Sequence, residues 1–291
     1  MLVSKKQPFP LLVTGASGML GSDLVEEIVM SRGRQGVLST DSKTLDITHR
    51  TQVENFLHKN PISYIINAAA YTDVDGAEKE REKAYLINVV GPKNLAEVAG
   101  SFGIPVIHFS TDYVFDGTLN RPLTEEDEPN PPKPNYYGET KLLGEREVLQ
   151  NPANLVLRVQ WLYGKRRERF SSLRNKEKFT PFEDQWGAPT WTRDVSRTVV
   201  KLIEQKAKGL FHFAYDDFAS WAEVFAFVCD EWHLSTQLLP KKSSDINLPA
   251  RRPSYGVMAN RKLLAQLGEK TMGSWQTSLR EFLKTIYCDF K

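Results

Sequence analysis

A short apolar run that ends in a glycine turn and feeds directly into an amphipathic helix restricts the folding of a chain more than its composition does. Here the run is Leu11-Leu12-Val13, closed by Thr14-Gly15. The helix signal starts at Met19 and reaches Ser31, with Leu20, Leu24, Val25, Ile28 and Val29 at helical spacing. A strand this short and this uniformly apolar belongs inside a sheet covered on both faces. The same alternation then recurs. Gly36 to Thr40 predicts a strand, and Val53, Phe56 and Leu57 predict a helix that stops before Pro61. Tyr64 to Asn67 predicts a third strand. Tyr85 to Phe102 predicts a helix with Leu86, Val89, Val90, Leu95, Val98 and Ala99 inward and Gly103 at its end. Pro105 to Ser110 reads as a strand, Tyr136 to Leu149 as a helix and Leu155 to Val159 as a strand. Strands alternating with helices predict an α/β fold, a doubly wound parallel sheet.

The pattern changes after Trp161. Lys165 to Lys178 is basic, with seven Lys or Arg against two Glu. Thr192 to Lys206 predicts a helix and Leu210 to Phe213 a strand. Ser220 with Glu223 forms a capping box that opens a helix to Trp232. Asn260 to Leu267, ended by Gly268, and Ser274 to Tyr287 predict two more helices. Residues 1–160, with returning segments after 190, are therefore expected to form the sheet domain, and 161–291 mainly a smaller α/β part. Pro129 to Pro134 reads as a surface loop, because alternation resumes after it.

Composition closes off several function classes. The 291 residues carry 38 Lys and Arg against 36 Asp and Glu, a net charge of +2, so nothing drives the chain globally onto nucleic acid or an anionic membrane. Hydrophobic residues at 41% suffice for a core. No apolar run approaches the ~18–20 residues that span a bilayer, and Met1 to Pro10 has no apolar stretch of signal-peptide length. Two cysteines, Cys229 and Cys288, cannot build a disulfide framework and read as buried thiols. The expectation is a cytoplasmic globular protein, monomer or homodimer.

The loop Gly15-Ala16-Ser17-Gly18-Met19-Leu20-Gly21 lies between the first strand and the first helix. Gly15 allows a tight turn, Gly18 lets a pyrophosphate approach the backbone, and Gly21 lets helix and strand pack closely. The free N–H groups of the helix N-terminus would hold the phosphates. This context makes the sheet Rossmann-type and points to a nicotinamide dinucleotide, NADPH or NADH. Asp41, about 20 residues on, is placed to accept from a ribose hydroxyl. Arg32 and Arg34 are placed to meet a 2′-phosphate, so the choice of cofactor stays open. Asp46 and Ile47 are candidates at the adenine.

Tyr137-Gly138-Glu139-Thr140-Lys141 puts a phenol and an ammonium on one helix face. A nearby ammonium is expected to lower the phenol's pKa, and such a Tyr can protonate a carbonyl oxygen while hydride reaches the carbon. Thr111, at the carboxyl end of the strand before, is a candidate to polarise the same oxygen. Asn88 is a candidate bridge to Lys141, or else a buried amide satisfied by backbone.

Together with Asn67-Ala68-Ala69-Ala70, Ser110-Thr111-Asp112-Tyr113-Val114-Phe115 and Tyr137-Gly138-Glu139-Thr140-Lys141-Leu142, the glycine loop resembles an extended short-chain dehydrogenase/reductase. More narrowly, the chain resembles the dTDP-4-dehydrorhamnose reductase family. Arg158 to Gly164 with Trp161, Gln185-Trp186-Gly187-Ala188-Pro189-Thr190 and Ala250-Arg251-Arg252-Pro253 agree. The resemblance implies a catalytic trio of Thr111, Tyr137 and Lys141, of which Tyr137 and Lys141 are also expected at the cofactor, Lys141 holding the nicotinamide ribose. It implies that Gly18, Met19, Leu20, Asp46, Ile47, Ala68, Ala69, Ala70 and Phe109 line the cofactor, and that Thr111, Asp112 and Trp161 meet the sugar. The implied reaction reduces the 4-keto group of a dTDP-deoxyhexulose to give dTDP-L-rhamnose. Its partner would be a nucleotide sugar.

After Gly164 the chain departs from the family pattern, which has an Asn-Phe pair and a longer helix where this chain has Arg169-Phe170 and a short basic segment. Arg166, Arg167, Arg169 and Arg174 are candidates for a substrate diphosphate or form a solvated loop. Arg251 and Arg252, in a loop between prolines, are the better phosphate candidates. No histidine has metal-ligand spacing, His108 reads as a satisfied core residue, and no metal is expected. Two other readings are a non-catalytic cofactor-binding subunit of another enzyme and an epimerase or dehydratase of the same superfamily. The intact Thr, Tyr and Lys argue against the first. Tyr113, standing after Asp112 where a dehydratase would carry Glu, argues against the dehydratase.

Overall fold

A computed structural model of the chain describes residues 9–167 and 170–288. Six parallel strands form the central sheet: β1 (Leu11–Thr14), β2 (Val37–Thr40), β3 (Tyr64–Asn67), β4 (Val106–Thr111), β5 (Leu155–Val159) and an edge strand, Gly209–His212. Their spatial order is edge strand, β5, β4, β3, β1, β2. The order reverses between β1 and β3, and in such sheets ligands bind at the carboxyl ends beside that switch.

Alternation along each strand supplies both faces. Leu11, Val13, Ile66, Ile107, Phe109, Leu155 and Leu157 enter one core, which α1 (Met19–Arg32) closes with Leu20, Leu24 and Ile28. Leu12, Ile65 and Val106 enter the other, packed by Val53 and Leu57 of α2 (Arg50–Lys59). Strands buried on both faces read as unbroken apolar runs, and the predicted strands accordingly lie within about one residue of the observed ones. Two further helices, α3 (Val74–Lys79) and α4 (Arg81–Tyr85), are short and polar and escaped the periodicity. The expected Tyr85–Phe102 helix is a π turn, Leu86–Val90, running into α5 (Gly91–Ser101).

The helix α6 (Tyr136–Leu149) packs on β4 and β5 through a buried ion pair. Arg158 Nε donates to Glu145 Oε2 at 3.0 Å and Arg158 Nη2 to Oε1 at 2.5 Å, with both side chains at most 3% exposed. A second partner, His212 of the edge strand, lies 3.1 Å from Arg158 Nη1. Burial next to that guanidinium drives the His212 pKa down to about 3. Beyond β5, α7 (Thr192–Glu204), α8 (Trp221–Glu231), α9 (Arg261–Leu267) and α10 (Trp275–Cys288) complete the chain. The capping box at Ser220 and Glu223 is present, and Gly268 ends α9 in the left-handed conformation. Pro131 and Pro132, expected in a surface loop, are buried. Trp221, Phe225 and Trp232 join the first core, with Phe227 packed against it. Cys229 is buried, whereas the side chain of Cys288 lies outside the described residues. Among the described residues no helix is long and apolar enough to cross a membrane.

Candidate active site

The glycine loop is built for a close-lying anion. Gly15 sits at φ +67°, a left-handed conformation, and a Cβ there would lie 2.5 Å from Ala69 N. A Cβ on Gly21 would lie 2.1 Å from Gly15 O, so helix and turn touch. A Cβ on Gly18 would meet only Gly15 O, at 3.2 Å, and Gly18 is otherwise exposed. Gly18 is also the N-cap of α1, with no side-chain cap and no acidic residue in the first turn. The N–H groups around Met19 and Leu20 therefore lack a protein anion, which suits a pyrophosphate. Ala68, Ala69 and Ala70 continue from β3 beside this loop, with Ala68 N donating to Thr14 O at 3.1 Å. The residues present fit a dinucleotide.

The adenosine candidates are partly committed elsewhere. Asp41 Oδ1 accepts from Lys43 N, Thr44 N and Thr44 Oγ1 at 3.0–3.2 Å, and these turn bonds, the Lys43 N–H foremost, lower its pKa. Asp46 Oδ1 caps Thr48 at 2.9 Å and its Oδ2 lies 3.1 Å from His49 Nδ1. Ile47 is buried against Gly91, and its carbonyl accepts from Asn94 Nδ2 at 3.0 Å.

At the carboxyl end of β4 the chemistry gathers. Thr111 Oγ1 donates to Asp112 Oδ1 at 3.1 Å and accepts from Tyr113 N at 3.2 Å, and the Tyr137 phenol lies close enough for the Thr111 hydroxyl to favour its ionised form. Asn135 caps α6, its Oδ1 accepting from Gly138 N at 2.7 Å while its Nδ2 donates to Arg251 O at 2.6 Å. A Cβ on Gly138 would lie 2.3 Å from Tyr113 O, so only a glycine lets the first turn of α6 sit against the Thr111–Tyr113 turn. Burial raises the Tyr137 phenol to about 12, with the Asp112 carboxylate adding to the rise. Burial likewise raises Asp112 to about 7.

Lys141 is buried in the same helix and directed differently from the sequence expectation. Its Nζ donates to Phe109 O at 2.6 Å and lies 3.3 Å from His108 Nε2. The phenol's pKa is thus raised, not lowered: the ammonium is engaged by the β4 backbone, and burial, Thr111 and Asp112 set the phenol. Desolvation lowers Lys141 itself to about 8. Asn88 is wholly buried, with Nδ2 donating to Tyr71 O and Thr140 Oγ1 at 3.1 Å each and Oδ1 accepting from Tyr71 N at 2.9 Å. Its amide ties the Ala70–Tyr71 turn to α6 and holds the face that bears Tyr137 and Lys141.

Trp161, at φ 44°, stacks on Trp221 with ring centroids 4.0 Å apart and planes 12° from parallel. Arg252 is bidentate to Asp75, both bonds 2.7 Å, and also donates to Ala250 O. Arg251 uses its backbone at Pro134 and Asn135, and its side chain is exposed apart from a 3.5 Å bond to Lys133 O. In the basic segment Arg166 reaches the glycine loop, donating to Ser17 O at 2.9 Å. Arg174 lies 4.0 Å over the Trp232 ring. Arg169 and the side chain of Arg167 lie outside the described residues. Sequence reasoning missed Asn135, although its place just before Tyr136 is an N-cap signal. It also missed Asp75, which no local pattern links to Arg252.

With this geometry in hand, similarity to known proteins is informative. Residues 9–288 match the family described as RmlD substrate binding domain. The chain is 38% identical over 289 residues to a dTDP-4-keto-6-deoxy-D-glucose reductase of Streptomyces niveus, covering 96% of this chain and 98% of that protein. It superimposes with a TM-score of 0.90 on a crystal structure of a dTDP-4-dehydrorhamnose reductase from Clostridium acetobutylicum, 35% identical, covering 96% and 99% of the two chains. A Bacillus anthracis dTDP-4-dehydrorhamnose reductase solved with NADP gives a TM-score of 0.89 at 32% identity, again with 96% and 99% coverage. By sequence along nearly its whole length and by fold, the chain belongs to the RmlD substrate-binding-domain family, that of the dTDP-4-dehydrorhamnose reductases.

Proposed function

We propose that the protein reduces the 4-keto group of a dTDP-activated 6-deoxyhexulose, converting dTDP-4-dehydrorhamnose to dTDP-L-rhamnose. The observation that carries this is the Thr111 hydroxyl at the carboxyl end of β4, bonded to buried Asp112 and close enough to the Tyr137 phenol to act on its ionisation, on the same edge of the sheet as the glycine loop that follows β1. The glycine loop, the Ala68–Ala70 turn and the Asp41 to Ile47 stretch would hold NADPH or NADH, which when bound supplies the hydride. Residues 1–160 with the returning strand carry that site, and segments of 161–291 cover the sugar. Arg251, whose guanidinium is exposed, is the better of the two adjacent arginines for the diphosphate, because Arg252 already has Asp75. The work is expected in the cytoplasm, by a monomer or homodimer.

The residues divide the proton chemistry among them. A phenol near 12 stays protonated through the neutral range, so Tyr137 is the acid that delivers a proton to the carbonyl oxygen. The single hydroxyl proton of Thr111 goes to Asp112 in this structure; once Asp112 is protonated it donates to Thr111 in turn, and the Thr111 proton is free for the carbonyl oxygen in the transition state. Asp112, with a pKa near 7, lies one hydrogen bond behind Thr111 and gives the phenol a route to recover its proton. Lys141 fixes the β4 backbone at Phe109.

A panel of nucleotide 4-ketosugars assayed with NADH and NADPH, with product stereochemistry read by NMR, tests the reading. Turnover of dTDP-4-dehydrorhamnose to dTDP-L-rhamnose supports it, and no turnover of any 4-ketosugar refutes it. The Streptomyces niveus relative favours a second reading, in which the sugar is dTDP-4-keto-6-deoxy-D-glucose. The same panel separates the two.

A further inference from the structure

The carboxyl end of β5 carries a side chain to which neither the fold nor the proton chemistry gives a role. Gln160 is 2% exposed, and neither its Oε1 nor its Nε2 has a hydrogen-bond partner among the described residues. A buried amide with both ends unsatisfied is costly, and native folds rarely keep one without a use. Its place is informative. The strand register pairs Thr111 with Val159, and the next residue of each chain is Asp112 and Gln160. Gln160 is also followed directly by Trp161.

The segments that close over this point approach it without side chains. A Cβ on Gly187 would lie 2.8 Å from Gln160 Oε1 and 2.8 Å from the Trp161 ring. A Cβ on Gly256 would lie 2.5 Å from Asp112 Oδ2. The two glycines lie on neighbouring segments, since Gly256 N donates to Trp186 O at 2.8 Å. Neither has a positive φ, so it is space and not backbone conformation that requires glycine there. Gln160 and Trp161 thus lie under the Gly187 backbone, and Asp112, which is bonded to Thr111, lies under the adjoining Gly256 backbone.

We propose that Gln160 is a specificity-determining residue whose carboxamide, reached when the Gly187 segment that covers it moves aside, hydrogen-bonds the ring hydroxyls of the substrate sugar next to the ketone. A carboxamide offers an acceptor and a donor side by side, which matches a vicinal pair of hydroxyls better than a carboxylate or an alkyl chain does. A 4-keto-6-deoxyhexose linked to dTDP has one such pair, at C2 and C3. The inference rests on the nucleotide-sugar reading above and adds to it the group that recognises the sugar. A site built to bond a hydroxyl discriminates strongly against ligands that lack it, because its own buried polar atoms are then left unpaired.

Calorimetric titration with dTDP and with dTDP-L-rhamnose, in the presence of NADP, tests this on the full chain without turnover. Gln160→Leu is expected to weaken dTDP-L-rhamnose by about 10-fold or more, the cost of lost hydrogen bonds to a buried amide. It should leave dTDP unchanged within about 2-fold, because the amide lies at the sugar end. In kinetics the loss should appear mainly in KM. Gln160→Glu keeps the size but loses the donor, so it should weaken the sugar nucleotide in the same direction, and it serves if the leucine variant does not fold. Unchanged affinity for dTDP-L-rhamnose overturns the proposal, as does equal weakening of dTDP, which would mean a structural role. The nucleotide-sugar reading fails differently, when the wild-type protein binds neither dTDP nor any dTDP-sugar.

Discussion

Lys141 Nζ sits 3.3 Å from His108 Nε2, in the interior between β4 and α6. The tautomer of His108 follows from its other neighbours. Asn67 Oδ1 accepts from Thr14 Oγ1 at 2.7 Å and Ala69 N at 3.2 Å, which turns its Nδ2 towards His108 Nδ1 at 3.0 Å. Neutral His108 therefore carries its proton on Nε2, facing Lys141. Burial keeps that imidazole neutral by lowering its pKa well below 6.5. An imidazole N–H suits an amine and opposes an ammonium, which agrees with a Lys141 pKa near 8. Ketone reduction is expected to slow as pH rises through about 8, because an uncharged Lys141 is a weaker donor to Phe109 O and holds the end of β4 that carries Thr111 less firmly. His108→Gln, which offers Lys141 a carbonyl acceptor, should move this limb to higher pH. An unmoved kcat/KM profile in that variant would contradict the coupling.

Tyr137→Phe removes the proposed acid and leaves the cofactor loop untouched. A loss of about 100- to 10,000-fold in kcat is expected, the range for a general acid, with NADPH affinity by fluorescence titration unchanged. Wild-type turnover in this variant would remove Tyr137 from the chemistry.

The glycine loop should discriminate between its own members. Gly15→Ala puts a side chain on a left-handed residue 2.5 Å from Ala69 N, and Gly21→Ala puts one 2.1 Å from Gly15 O. Both should lose cofactor binding and lower the melting temperature. Gly18→Ala meets only a 3.2 Å contact, so it should spare the fold and reveal its cost in cofactor affinity alone. Thermal melts with and without NADPH separate these outcomes.

Two buried groups give stability a pH dependence of opposite sign. Folded Asp112 holds its proton to about 7, whereas an unfolded Asp releases it near 3.8, so this group's contribution falls as pH rises between those values. Folded Lys141 gives up its proton near 8 and the unfolded residue near 10.5, so in that window stability rises with pH. Urea midpoints measured against pH should show both slopes, and Asp112→Asn should flatten only the acid one.

Glu145 and Arg158 clamp α6 onto β5 in the interior, and removing one partner leaves an uncompensated buried charge. Glu145→Gln should cost about 3–5 kcal/mol in urea unfolding. A cost near that of a surface pair would show that the helix bearing Tyr137 and Lys141 is anchored otherwise.

Much of this was legible in the chain because the central strands are buried on both sides. Tyr64–Asn67 and Leu155–Val159 read as unbroken apolar runs whose ends need no tertiary information. The π turn at Leu86–Val90 was hidden because packing fixes it: a Cβ on Gly144 of α6 would lie 2.0 Å from Asn88 O. The i, i+4 spacing placed Tyr137 and Lys141 on one face, but nothing local said that the ammonium would turn to Phe109 O. Arg252 looked free for a phosphate because Asp75 stands 177 residues away. The two-residue strands Trp186–Gly187 and Ala219–Ser220, which pair with each other, are too short for any periodicity to show.

The central claim is hydride delivery to the sugar carbonyl beside Tyr137. Turnover of dTDP-4-dehydrorhamnose with NADPH carrying deuterium at both positions of the nicotinamide C4, followed by NMR of the product, tests it most directly. The account predicts deuterium on C4 of the rhamnose ring in the wild-type protein and none formed on that time scale by Tyr137→Phe. Deuterium retained wholly in the cofactor, or product formed equally by both proteins, would contradict it.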